Sequence, residues 1–189
     1  MIIKIIGQGF GIIGIILNAI TFQEKEQKRI CFWQFCGSIC FMLNFFMLGA
    51  VIGGMLNGLG MIRALVYMFY EKTHANHPLW FIGFILAYLT SYILSFTVFN
   101  IEPTPINFVI EILPVIAMTA LSIGYTLNNS KSFRLSAYVS SPCWLVYNII
   151  YLSIGAIITE AINIISITIG TFRHDIKKNN LTDSSEQTI

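Results

Sequence analysis

The sequence predicts an all-α membrane protein with seven transmembrane helices. Apolar residues make up 56% and charged residues 11% of the 189 residues, against about 45–50% and about 25% in soluble domains. Five long stretches carry either no charge or a single acidic residue: 5–22, 30–62, 79–101, 103–130 and 135–172. A membrane crossing needs about 20 mostly apolar residues, and a soluble domain of this length could not bury so much apolar surface.

The helices follow from dividing the longest apolar stretches. Residues 30–70 are too many for one crossing and contain a glycine-rich break near Leu48–Ala50. Residues 135–172 divide in the same way near Leu152–Ile154. The predicted helices are therefore 5–22, 30–48, 50–70, 80–99, 107–126, 136–152 and 154–172. The polar segment 175–189 has nothing to bury and is predicted to be a disordered cytoplasmic tail.

Basic residues predict the orientation in the membrane. With seven crossings, the loops 23–29, 71–79 and 127–135 share a side with the C-terminus, and that side carries nine Lys and Arg residues against Lys4 alone on the other. Because cytoplasmic loops are enriched in Lys and Arg, we expect the N-terminus outside and the C-terminus in the cytoplasm. Arg63, inside the third helix, is expected to extend its side chain towards the same cytoplasmic end.

An internal repeat explains the odd number of helices. The third and seventh helices carry small or polar residues at the same steps of 4, 3 and 4, placed 106 residues apart. These residues are Gly53, Asn57, Gly60 and Ala64, and then Thr159, Asn163, Ser166 and Gly170. The predicted organisation is two parallel three-helix bundles, 1–72 and 103–174, joined by a linker helix within 73–102, with an axis along the membrane normal.

Four short motifs carry a resemblance to a known family. "QGFGIIG" in the first helix, "GMIR" in the third, "LPVI" in the fifth and "CWLVYN" in the sixth resemble the YgjV-type bacterial inner-membrane proteins. Their order and spacing carry the resemblance over nearly the whole chain apart from the tail. The architecture also resembles the wider group of 3+1+3 transporters that contains SWEET sugar facilitators and PnuC vitamin transporters.

The resemblance to SWEET proteins implies particular roles for several residues. In those proteins an asparagine on the third helix of each bundle faces the central pocket, and Asn57 and Asn163 match that pattern. Proline hinges on the first two helices of each bundle are matched by Pro114 and Pro142 in the second half only. The first half has no matching proline, which departs from the family pattern and argues against symmetric rocking.

Polar residues inside predicted helices are the candidate site residues, because each must find a partner in the membrane. Asn57 and Asn163 could bind an uncharged solute or could join helices by hydrogen bonds. Asn44 and Asn148 are candidates of the same two kinds, with internal joining favoured. Trp144, four residues before Asn148, could stack on a ring-shaped solute or pack in the core.

Glu160 has two contrasting interpretations. It is the only charged residue of 135–172 and lies three residues before Asn163, at the edge of the polar stripe. It could be an acid near a helix N-terminus that reaches water. It could instead be a protonated pocket carboxylate between the two bundles that binds a substrate donor or carries a proton. Glu111, near the outer end of the fifth helix, is expected at the surface.

The leading functional hypothesis is a small-solute transporter of the bacterial inner membrane. The expected partners are the lipid bilayer and an uncharged sugar-, nucleoside- or vitamin-like solute. The alternatives are a non-transporting scaffold or partner-binding protein that retains the fold, and a channel. No catalytic, phosphate-binding or nucleic-acid-binding pattern is present, and the four cysteines are expected to pack within helices. We therefore expect no enzyme activity, metal or cofactor.

Overall fold

The computed structural model of the chain describes residues 2–23, 27–127 and 130–171. All regular structure in these ranges is helical, which confirms the predicted all-α class. The eight helices are α1 (Ile2–Gln23), α2 (Gln27–Leu48), α3 (Val51–Met68), α4 (Tyr70–Thr73), α5 (Pro78–Thr97), α6 (Pro105–Thr126), α7 (Ser130–Ile150) and α8 (Ile154–Thr171). The predicted disordered tail, 175–189, lies outside the described residues.

Seven of these helices overlap the seven predicted segments, and α4 is an additional turn of four residues. The largest difference is the start of α7, which begins at Ser130 rather than at the predicted residue 136. The predicted helix started after the last basic residue of the preceding loop, Arg134. Lys131 and Arg134 instead lie inside the helix, because lysine and arginine are good helix formers.

The apolar helices have the length and composition that a membrane requires. In the described part of the chain, α2 from Lys28, α3, α5 and α6 are each long and apolar enough to cross a bilayer. Shorter apolar stretches occupy Ile2–Asn18 of α1 and Ile154–Ile169 of α8. Large apolar side chains remain exposed along these helices, as lipid contact requires. The chain is therefore a membrane protein with several spans.

Contacts between helices arrange six of them in a closed ring. Along the chain, α1 packs on α2 and α2 on α3, while α6 packs on α7 and α7 on α8. Two further contacts join these groups, one between α1 and α8 and one between α3 and α6. We call these the α1–α8 seam and the α3–α6 seam. Helix α5 packs against both α3 and α6, so it covers the second seam.

The two predicted breaks are confirmed and share one backbone geometry. After α2, the N–H of Ala50 donates to the carbonyl of Phe45 at 2.9 Å, and Gly49 has φ +86°. After α7, the N–H of Ser153 donates to the carbonyl of Asn148 at 3.0 Å, and Leu152 has φ +52°. Each break is a Schellman motif with its left-handed residue after the helix end.

The left-handed conformation at Gly49 leads to a stability prediction. A Cβ at Gly49 would meet nothing within 4 Å, so Gly49→Ala changes only the backbone preference. We expect the substitution to lower stability by about 1 kcal/mol, measured as the thermal unfolding midpoint of the protein in detergent. Leu152→Gly is the matched control. The Leu152 side chain is 69% exposed and its backbone is left-handed, so glycine removes strain there and should not lower the midpoint. Equal midpoints for Gly49→Ala and the wild type would contradict the prediction.

Candidate functional site

Polar side chains collect at different levels of the helix ring. We call the level of the α2–α3 and α7–α8 turns the turn end. The opposite end, which carries the exposed Lys28, Arg29 and Lys72, is called the basic end. The turn end holds two polar groups, one at each seam. A third group lies within the α3–α6 seam nearer the basic end, and a fourth lies between α7 and α8.

At the α1–α8 seam, Asn44 joins the two groups of three helices. Its side chain is fully buried on α2. The Nδ2 group donates to the Gly7 carbonyl of α1 at 2.8 Å, and the Oδ1 atom accepts from the Ser153 hydroxyl at 2.6 Å. Gln8 of α1 also bonds the α7–α8 turn, donating to the Leu152 carbonyl at 2.8 Å. Asn44 therefore joins structural elements, and it reaches across the ring rather than only within its own bundle.

Backbone contact closes the same seam. A Cβ atom added at Gly155 of α8 would lie 2.4 Å from the carbonyl carbon of Gly11 on α1. The approach requires glycine at position 155, because a side chain there would occupy the space of the Gly11 backbone. The proximity of the helices in turn lets Asn44 and Gln8 reach the α7–α8 turn.

At the α3–α6 seam, the turn end contains a buried acid. Glu111 is 1% exposed, so the expectation that it lies at the surface is wrong. The hydroxyl of Tyr151, the residue that follows α7, donates a hydrogen bond to Glu111 Oε1, and Glu111 Oε2 is buried without a partner among the described residues. One turn earlier on α7, the Tyr147 hydroxyl accepts a hydrogen bond from the Gly53 N–H of α3 at 3.0 Å. The phenols of Tyr147 and Tyr151 thus cover the acid, and that of Tyr147 also caps the start of α3.

Nearer the basic end, the same seam contains a buried cation. Arg63 of α3 is 7% exposed, so the expectation that it extends to the helix end is wrong. Its Nη1 atom donates to the Tyr88 hydroxyl, the Met118 carbonyl and the Ser122 hydroxyl at 3.4, 3.3 and 3.2 Å. Its Cζ atom lies 4.9 Å from the centroid of the Tyr125 ring. The side chain turns towards these groups on α5 and α6 because they face it directly across the seam.

The fourth group contains the predicted site residues of α8. The Asn163 amide donates to Glu160 Oε2 at 3.1 Å, and Ser141 of α7 is the other polar side chain beside this carboxylate. Glu160 therefore faces groups of α7 and α8 in the described chain. Asn57 donates to the Gly53 carbonyl of its own helix at 2.8 Å. The two asparagines each bond within their own helix rather than to each other.

Several buried polar atoms in the second half have no hydrogen-bond partner. Among the described residues, the fully enclosed and unpartnered oxygen atoms are those of Glu111 Oε2, Asn148 Oδ1, Thr159 Oγ1, Asn163 Oδ1 and Thr171 Oγ1. All of them lie on α6, α7 or α8. Because buried polar atoms in proteins nearly always have a partner, these oxygens are unused hydrogen-bond acceptors among the described residues of the second half.

The remaining candidates occupy packed positions. Trp144 is 7% exposed and stacks on Phe45 with ring centroids 5.8 Å apart. Pro114 is buried inside α6, and Pro142 is exposed inside α7. The four cysteines are free. Among the described residues, no three His, Cys, Asp or Glu side chains are grouped closely enough to hold a metal ion.

Sequence reasoning missed the two buried charges and the tyrosines around them. Tyr147 of α7 and Tyr151, just after its end, are four residues apart and joined by a helical backbone hydrogen bond, so their side chains lie on the same side. Buried tyrosine hydroxyls need partners, so this pair could have indicated a polar group on a neighbouring helix. For Arg63 the available signal was its place beside Gly60 and Ala64 on the stripe of small residues, which is the face that packs against other helices.

Comparison with known proteins places the chain in a family. The family model described as "Bacterial inner membrane protein", Imp-YgjV, matches residues 5–178. The chain belongs to this family. The match covers all seven long helices almost completely, and it supports a location in the bacterial inner membrane. No curated protein and no solved structure matches the chain.

The backbone contact at the α1–α8 seam predicts the effect of one methyl group. Gly155→Ala should lower stability by about 1–3 kcal/mol, because its Cβ atom forces α1 and α8 apart. The measurement is the midpoint of thermal unfolding in detergent. Gly83→Ala is the control, since a Cβ there meets nothing within 4 Å and alanine favours the helix. A Gly155→Ala protein as stable as Gly83→Ala would contradict the close contact.

Proposed function

We propose that this inner-membrane protein carries a small polar solute across the bilayer by alternating access. The two moving parts are the halves α1–α3 and α6–α8, and α5 is the linker between them. The observation that supports this proposal most is the set of enclosed polar oxygens on α6, α7 and α8 that have no partner among the described residues. A purely structural helix bundle gains nothing from leaving such atoms unsatisfied in a membrane, where the cost is high. A polar solute or water in this region would supply the missing bonds.

The contacts between helices support the internal repeat on which this mechanism depends. Exchanging the halves pairs α1 with α6, α2 with α7 and α3 with α8. Under this exchange the α1–α8 seam becomes the α3–α6 seam, and both seams are present. The Schellman motif after α2 likewise corresponds to the one after α7. An approximate two-fold axis through the ring accounts for both correspondences, and rocking about such an axis is the usual basis of alternating access.

The mechanism implies seven crossings with the basic end in the cytoplasm. The turn end, with few charges, would face outside, and the enrichment of Lys and Arg at the other end supports this orientation. We expect a fluorescent protein fused to the C-terminus to fold and emit in the cytoplasm. A protease site added at the N-terminus should be cleaved from outside in spheroplasts. If both termini lie on the same side of the membrane, the number of crossings is even, and both the seven-helix topology and the parallel repeat are contradicted.

Alternating access also predicts how cysteines that replace Asn57 and Asn163 react with a reagent that cannot cross the membrane. A single cysteine at either position, in a background with Cys31, Cys36, Cys40 and Cys143 replaced, should react with a charged methanethiosulfonate in both right-side-out and inverted vesicles. The reason is that a central residue becomes open to each side in turn. The measurement is the fraction of protein labelled after a fixed time in each vesicle type.

A control position and a rival mechanism complete this experiment. A cysteine at the exposed Leu86 of α5 should resist the reagent from both sides, because it faces lipid. A scaffold that never opens would leave the cysteines at Asn57 and Asn163 unreactive from at least one side. An open channel would show rapid labelling from both sides at once, together with ion leak through reconstituted vesicles.

A further inference from the structure

The buried cation at the α3–α6 seam indicates a ligand of a particular charge. Arg63 bonds three oxygen atoms, and all three are neutral: two hydroxyls and one backbone carbonyl. No described carboxylate pairs with it. The geometry points to a binding site for a small anion, a carboxylate or a phosphate, at the guanidinium of Arg63, which the hydroxyls of Tyr88 and Ser122 hold in place. The anion supplies the negative charge that the protein does not provide here.

The guanidinium group retains an unused edge of the correct shape. All of its hydrogen bonds leave from Nη1, although arginine has five N–H donors. The Nε–Nη2 edge is therefore without a bonded partner in the described chain. Neither atom belongs to the fully enclosed polar atoms that lack a partner, so this edge keeps part of the 7% of Arg63 that is exposed. Such an edge binds carboxylate and phosphate oxygens in pairs.

The surroundings of Arg63 hold the group in place without neutralising it. The Tyr125 ring lies against one face of the guanidinium, and a cation above a tyrosine ring is stabilised by the electron density of that ring. The hydroxyls of Tyr88 and Ser122 lie 3.1 Å apart, so they form one polar edge beside Nη1. A charged side chain at this depth in a membrane remains costly. Anion binding would reduce that cost.

The site lies within reach of one side of the membrane. Five residues separate Arg63 from the end of α3 at Met68, which corresponds to about 8 Å along the helix. The exposed Lys28, Arg29 and Lys72 at the basic end raise the local concentration of anions. An anion can therefore approach from that end, which is cytoplasmic in the proposed orientation.

The site has no counterpart at the other seam. The spacing of 106 residues between the two stripes places Ile169 of α8 at the position equivalent to Arg63. In addition, α5, which carries Tyr88, covers the α3–α6 seam and not the α1–α8 seam. A single anion per protein is therefore expected. That this anion is the transported solute rests on the proposed function, whereas the binding itself does not. Its charge differs from the uncharged solute that the asparagine pair suggested.

The first measurement compares anions with neutral molecules of the same shape. We would measure thermal unfolding of the purified protein in an uncharged detergent, at constant ionic strength set with sodium chloride. The probes are benzoate against benzamide, lactate against lactamide, and inorganic phosphate. We expect at least one anion, at ten times its dissociation constant, to raise the unfolding midpoint by about 3 °C or more. The neutral amides should leave the midpoint unchanged.

The second measurement uses variants of the site. Arg63→Gln should abolish the anion-dependent shift, and Arg63→Lys should weaken binding because lysine lacks the paired donors. Ser122→Ala and Tyr88→Phe keep the charge and each remove one hydroxyl that holds the guanidinium in place, so they should weaken binding several-fold while the protein folds. Lys28→Gln is the charge-matched control, because it removes one exposed cation outside the site, and its shift should equal that of the wild type.

Two outcomes would overturn the site. One is an equal response of the wild type to anions and to their neutral analogues. The other is an anion response that survives unchanged in Arg63→Gln or, if that variant does not fold, in both Ser122→Ala and Tyr88→Phe. A lipid headgroup is distinguished from a soluble anion by repeating the measurement in nanodiscs of phosphatidylcholine with and without phosphatidylglycerol. Stabilisation by phosphatidylglycerol alone, lost in Arg63→Gln, supports the site with a lipid phosphate as its anion.

The two proposals can fail separately. Labelling of cysteines at Asn57 and Asn163 from both sides, without any anion response, would retain transport and overturn the anion site. An anion response without labelling from both sides would retain the site and overturn transport.

Discussion

The contact between Gly11 and Gly155 is the constraint on which the closed ring of helices depends. The backbones of α1 and α8 approach at these residues until one methyl group on Gly155 would overlap the Gly11 backbone. This proximity brings Asn44 to the α7–α8 turn, where its amide oxygen accepts the Ser153 hydroxyl. In lipid, each of these polar groups must find its partner inside the protein. The glycines therefore determine both the packing of the seam and the satisfaction of its hydrogen bonds.

The two seams that join the halves differ in chemistry although they would correspond in the proposed internal repeat. The α1–α8 seam combines backbone contact with hydrogen bonds in which the Asn44 amide uses both its donor and its acceptor. The α3–α6 seam instead contains Arg63 and Glu111, each surrounded by neutral groups in the described chain. Seven residues of α6 separate Glu111 from Met118, the backbone partner of Arg63, which is about 10 Å along the helix. The two side chains are thus too far apart to form an ion pair with each other.

Sequence reasoning predicted the helices well and the buried charges poorly, for one physical reason. Apolar runs and glycine-rich breaks are local features, so the ends of α2 and the start of α8 were predicted within a few residues. The environment of Glu111 depends on Tyr147 and Tyr151, which are far along the chain and meet it only after α6 and α7 pack. Arg63 was placed by its distance to the helix end, whereas its neighbours on α5 and α6 determine its direction. The roles of Asn57, Asn163 and Glu160 remain predictions, since the structure gives their partners but no solute.

Within the proposed mechanism, the difference between the seams decides where a solute can act. A ligand shifts a conformational equilibrium only when it binds one state more tightly than the other. At the α1–α8 seam the polar groups of Asn44 already have protein partners, so a solute gains little by binding there. Arg63 belongs to α3, but its partners Tyr88 and Ser122 belong to α5 and α6. Any movement of α3 against α6 changes the distance between the cation and these hydroxyls, and therefore how firmly the guanidinium is held to present its free edge to an anion. The α3–α6 seam is the one at which binding and movement can be coupled.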